Sequence, residues 1–122
     1  MKTKNLGTLG TTSAVGLGLM AMSHAYGPSD RAESIATIHA ALDAGITLLD
    51  TGDFYGMGHN EMLLAEALRG HDRDAVQISV KFGAQRGPGV SFLGFDGSPA
   101  AVQTSLAYSL QRLGTDHIDV YR

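Results

Sequence analysis

The stretch Leu48-Leu49-Asp50-Thr51-Gly52-Asp53-Phe54-Tyr55-Gly56 decides how the rest of the chain is read. Its apolar start has the character of a buried strand end, and the polar residues after it deliver a carboxylate and, five positions later, a phenol. A second stretch, Val76-Gln77-Ile78-Ser79-Val80-Lys81, ends in a single lysine. A strand's period of two puts Val76, Ile78 and Val80 on one face of it and Gln77, Ser79 and Lys81 on the other. An Asp, a Tyr and a Lys at adjacent strand ends make an acid-base site. A cation beside a phenol stabilises the phenolate and lowers a pKa that is ordinarily about 10, and a carboxylate holds that cation in place. Taken singly, the same residues also suit plainer roles, with Asp50 capping a loop and Lys81 solvated at a strand end.

Outward from these strands the chain alternates between two periodicities. Asp30 with Glu33 resembles a capping box, Ile35, Ile38 and Leu42 recur at helical spacing, and Gly45 marks a stop. This predicts a helix over Asp30 to Ala44, ahead of a strand from Ile46 to Asp50 that is apolar except for Thr47. Asn60 as cap, with Leu63, Leu64, Ala67 and Leu68, predicts a second helix to Arg69. Ser98-Pro99 opens a third, ending at Leu113 before Gly114, and His117 to Tyr121 reads as a last strand. Near the start, Thr3 to Thr12 suits a short hairpin. Ala14 to Met20 has strand length, and its glycines suit either a thinned core strand or close approach of a ligand. Gly83 to Gly97 is predicted to be a long glycine-rich loop, a substrate or lid loop or a flexible connection. The alternation implies parallel strands with right-handed crossovers, in a doubly wound sheet or a barrel, with ligands at the carboxyl ends of the strands.

The 122 residues have the length of one domain, spanning 1–122. A net charge of −3 without a basic run gives no footprint for nucleic acid. The absence of cysteine removes disulfides and thiolate metal sites, and the five histidines show no ligand spacing, so no metal centre is expected. Met1 to Ala25 imitates a secretory signal, with a basic start and a small-x-small end. Gly16 and Gly18 interrupt its apolar run, which favours a first strand and a cytoplasmic protein. No stretch reaches the about 18 apolar residues of a membrane span.

Several ordered motifs resemble the aldo-keto reductase family. They are Asn5-Leu6-Gly7, Gly16 to Ser23 and Tyr26-Gly27-Pro28; Asp43-Ala44-Gly45-Ile46 into Leu49-Asp50-Thr51, with Tyr55-Gly56 and Asn60-Glu61; then Lys81-Phe82-Gly83, Ser98-Pro99 and Ser109 to Tyr121. The resemblance implies the first half of a (β/α)8 barrel, with about four parallel strands and three helices after the hairpin, since a whole barrel takes about 250 residues. It implies reduction of aldehydes or ketones with NADPH, or with NADH. Tyr55 would be the proton donor, Lys81 the partner that lowers its pKa, and Asp50 the carboxylate of the pair. Met20 and Asp50 would touch the cofactor. Gly52 departs from the small side chain, usually alanine, found there in the family. The family's fourth catalytic residue, a histidine, would come two residues beyond Arg122, and most groups that grip the cofactor's phosphates and adenine would come later still. The partner implied is a small carbonyl compound. A half-barrel that serves as a non-catalytic binding or assembly module, or an inactive truncated product, is the alternative. The open face of a half-barrel, with Ile46 and Leu48 inward, would promote self-association or loose packing.

Overall fold

The computed structural model describes residues 1–122, the side chain of Val90 excepted. A hairpin of β1 (Thr3–Asn5) and β2 (Thr11–Ser13) precedes a four-stranded parallel sheet, as the glycine spacing suggests. The sheet runs β3 (Gly16–Gly18), β4 (Leu48–Gly52), β5 (Gln77–Lys81) and β8 (Val120–Tyr121), in sequential order. Three helices connect them: α1 (Arg31–Asp43), α2 (His59–Ala67) and α3 (Pro99–Leu113). The sheet is open. No helix among the described residues is long and apolar enough to cross a membrane.

Local signals account for most boundaries. The Asp30 side chain accepts the amide of Glu33 at 2.8 Å and starts α1. Ser98 does the same for Ala101, with Pro99 first in α3, and Gly114 closes that helix with a left-handed φ of 65°. Strand β4 lies two residues later than the apolar run suggests. Thr47 is drawn instead to the hairpin, where its amide donates to Ser13 Oγ and its own Oγ1 accepts the Ser13 amide, both at 2.9 Å. The predicted last strand is shortened to two residues because Asp119 is used otherwise. Its carboxylate accepts the Ile78 amide at 2.8 Å and Arg73 at 2.7 Å.

Two expectations are corrected. The stretch Gly83 to Gly97 is not an open loop: it contains an antiparallel hairpin of β6 (Ala84–Arg86) and β7 (Phe92–Phe95), with a register shift between Gln85 and Arg86. Asn60 is not a helix cap. Gly58 takes that position in a left-handed conformation, and Asn60 is fully buried in the first turn. Its Nδ2 donates to the Leu19 carbonyl and to Ser23 Oγ, each at 2.8 Å, while its Oδ1 accepts from Thr51 Oγ1 at 2.6 Å. One side chain therefore joins the exit of β3, the end of β4 and the start of α2.

The pleat separates the two faces of the sheet. Leu49, Ile78 and Val80 turn to the helices and pack with Ile38, Leu64 and Leu113. The register sets Gly16, Leu48 and Gln77 side by side on the opposite face, then Gly18, Asp50, Ser79 and Val120, then Gly52 and Lys81. This open face is mostly glycine and polar. Leu48 and Val120 are its large aliphatic residues, and Ile46 precedes the strand, so the apolar cost of leaving the face uncovered is smaller than the sequence alone suggests.

The buried Asn60 clasp generates a stability prediction. Asn60→Ala would leave the buried Thr51 hydroxyl without its partner, and the Leu19 carbonyl with the Met22 amide alone, and should cost about 1–3 kcal/mol in urea unfolding. An Asn60→Ala variant as stable as the parent would show that the clasp contributes nothing.

Candidate active site

Asp50, Ser79 and Lys81 reach one end of the sheet because β4 and β5 pair in parallel, Asp50 opposite Ser79 and Gly52 opposite Lys81. Beyond Gly52 the chain turns back sharply. Tyr55 opens a short 3-10 turn just beyond the strand, and Gly56, Met57 and Gly58, which follow it into α2, all have positive φ, 59°, 53° and 96°. Gly52 lies close under the Tyr55 ring. A β-carbon there would sit 3.2–3.3 Å from three atoms of the Tyr55 ring, so an alanine in its place would require that ring to move by a few tenths of an ångström.

The three residues singled out from the sequence are brought together. Lys81 Nζ donates to Asp50 Oδ2 at 2.5 Å and to Tyr55 Oη at 2.8 Å. Ser79 Oγ donates to Asp50 Oδ1 at 2.8 Å, and Arg122 Nη2 donates to the same oxygen at 2.9 Å. Tyr55 is 9% exposed. Burial by itself would raise the Asp50 carboxyl, but the hydrogen bonds from Lys81, Ser79 and Arg122 outweigh it and hold the group below the ordinary aspartate value. Burial likewise pulls Lys81 down, and its hydrogen bonds to Asp50 and Tyr55 more than reverse this, so its pKa is raised. Both charges of the pair are kept across the neutral range.

Met20 lies in a short 3-10 turn after β3 and lines a cavity of about 580 Å³ with Ser23, His24, Phe54, Tyr55 and Arg86. Two members of the network were not singled out as site residues. Ser79 was legible, since alternation puts it on the lysine's face. Arg122 depends on how β8 registers against β5, for which no local signal exists.

Asp53, although only three residues from Asp50, faces elsewhere. It lines a crevice of about 500 Å³ with Arg112 and Tyr108, against α3. Burial first, and then the Glu61 carboxylate, push its pKa up to about 6, against a smaller lowering by Arg112. Glu61 is fully buried, paired with Arg112 and left with an unpartnered Oε1. Burial, followed by the Asp53 and Glu61 charges, pushes the Tyr121 hydroxyl up to about 12, against a smaller lowering by Ser105 and Arg112. The folded protein therefore binds the Asp53 proton more tightly than the unfolded chain, and this group's contribution to stability falls as pH rises from about 4 through 6. Asp53→Asn should gain about 1–3 kcal/mol at pH 7 and close to nothing at pH 4. Urea unfolding of both proteins at the two pH values measures this, and an equal difference at both would refute it.

The chain is similar to known proteins over nearly its whole length. The family model described as aldo/keto reductase family matches residues 14–122. A probable aldo-keto reductase 1 from Glycine max is 39% identical over 119 residues, 95% of this chain and 34% of that protein. The holo form of an aldo-keto reductase from Bacillus halodurans superposes with a TM-score of 0.87 at 33% identity, over 99% of this chain and 39% of the other. A Klebsiella pneumoniae aldo-keto reductase solved in complex with NADPH gives 0.78 at 30% identity, over 98% and 38%. The chain thus spans little more than a third of the length of these relatives, and its four strands and three helices match part of their barrel. With the family model matching residues 14–122, and so the whole of the four-stranded sheet, this chain belongs to the aldo-keto reductase family.

Proposed function

We propose that the chain carries the catalytic end of an NADPH-dependent reductase of aldehydes and ketones, acting in the cytoplasm. Tyr55 is its proton donor, Lys81 the cation beside the phenol, and Asp50 the carboxylate that holds the lysine. The observation that carries this reading is the continuous hydrogen-bonded path from Asp50 through Lys81 to Tyr55 at the carboxyl ends of parallel strands.

The residues present suit the nicotinamide end of the cofactor. A β-carbon added at Gly18, next to Asp50 in the sheet, would meet nothing within 4 Å, so space is open there, and Met20 follows at the end of the strand. Met20 and Asp50 would hold that end. When bound, the cofactor supplies a hydride. Lys81 donates into the phenol oxygen, so the hydroxyl hydrogen of Tyr55 is directed away from the lysine and toward a carbonyl oxygen. Proton donation leaves negative charge on Oη, and the ammonium at 2.8 Å stabilises it. Asp50 keeps that ammonium fixed in a partly desolvated position.

At saturating NADPH the chain should consume NADPH with an aldehyde substrate. Tyr55→Phe should lower that turnover by about 100-fold or more without changing the NADPH titration. The dissociation constant should lie well above about 1 μM, equivalent to roughly 8 kcal/mol, because the contacts proposed are confined to the nicotinamide end. No turnover across a panel of aldehydes and ketones would overturn the catalytic reading in favour of a binding or assembly module.

A second reading concerns partners. Among the described residues, β3 and β8 each lack a neighbour on one side, and unpaired edges of a parallel sheet are templates for a further strand. These edges support self-association of the chain. Sedimentation should show mass rising with concentration, whereas a monomer at every concentration with a sharp thermal transition would contradict it.

A further inference from the structure

We infer that Arg122 is a specificity-determining residue of the same site, receiving the carboxylate of an anionic carbonyl substrate; this rests on the catalytic reading of Asp50, Tyr55 and Lys81. Its position follows from the ladder. The Arg122 amide donates to the Val80 carbonyl at 3.0 Å, and the Phe82 amide donates to the Arg122 carbonyl at 3.0 Å, so Arg122 extends β8 by one step. Tyr121 packs against the helix-side core, and alternation therefore returns Arg122 to the face that bears Ser79, Asp50 and Lys81.

Charge balance is the main argument. Lys81 binds one oxygen of Asp50 and Arg122 the other, so two cations share one carboxylate. The remaining nearby carboxylates are committed elsewhere. Asp119 is paired with Arg73, Glu61 with Arg112, and Asp53 lines the crevice against α3. The Asp50 network thus carries one positive charge in excess. Of the five N–H donors of a guanidinium, Arg122 uses two, toward Asp50 and Ser79. A planar carboxylate matches the free part of such a fork, and a neutral ketone gains nothing from it. Arg122 and Lys81 hold different oxygens of Asp50, so a ligand that draws the guanidinium away does not release the lysine.

The test compares phenylglyoxylate with its uncharged methyl ester, in the parent chain, Arg122→Gln and Arg122→Lys. The ratio of kcat/KM for the acid over the ester should fall about 10- to 100-fold in Arg122→Gln and be partly restored in Arg122→Lys. An unchanged ratio, including equal losses on both compounds as expected if Arg122 only orients Asp50, would overturn the inference. Binding is followed independently by the NMR shift of the Arg122 Nε–H. A saturating shift with phenylglyoxylate but not with the ester supports the inference even in a chain that turns over neither compound, a result that would sink the catalytic reading alone. No shift, or the same shift with both compounds, would overturn it.

Discussion

The parallel register between β4 and β5 is the constraint on which the site depends. Asp50 stands opposite Ser79, and Gly52 opposite Lys81, so a carboxylate and an ammonium meet across neighbouring strands without a loop having to place either. A shift of one residue would send Lys81 to the helix side and bring Val80, part of the core, to the open face. The apolar alternation of β5 makes that slip costly. Burial of Ile78 and Val80 against the helices therefore holds the lysine in the site as surely as its own hydrogen bonds do.

Around this register the neighbouring segments are fastened by buried polar groups. Asn60 ties the exit of β3 to Thr51, the residue after Asp50, and so fixes the Met20 turn relative to the carboxylate. Arg73 and Asp119 anchor the approach to β8, and that anchor determines where Arg122 emerges. Tyr55, just beyond the end of β4, is held by the Lys81 ammonium, and the sharp turn through Gly56, Met57 and Gly58 carries the chain on into α2. Space at Gly58 is needed for the same arrangement: a β-carbon there would lie 2.7 Å from Arg112 Cδ, displacing the partner of the buried Glu61.

Two carboxylates three residues apart show how environment divides similar groups. Asp50 is surrounded by donors from Lys81, Ser79 and Arg122, and stays ionised despite its burial. Asp53 is pushed up to about 6, by burial first and then by the Glu61 charge. Reading such a pair by residue type alone would give them one role. Their surroundings assign them opposite preferences for the proton.

Sequence by itself determined the alternating helices and strands of the parallel sheet and put Asp50 and Lys81 at strand ends, because both rest on local periodicity. Helical spacing at Ile35, Ile38 and Leu42, and strand alternation from Val76 to Lys81, are properties of short windows, and a parallel α/β topology sends strand ends to one side. Position Asn60 misled because a good cap residue at a helix start reads the same whether it caps or is buried, and only the segments that reach it, Leu19, Ser23 and Thr51, decide which. The hairpin hidden in Gly83 to Gly97 was obscured by glycines at Gly87, Gly89 and Gly94, which weaken the alternation of a strand. Arg122 entered the site through the pairing of β8 with β5, and the open face proved polar through the joint register of four strands. These last features are relations between segments far apart in the chain, set by packing and hydrogen bonding across the sheet, and only the tertiary structure could decide them.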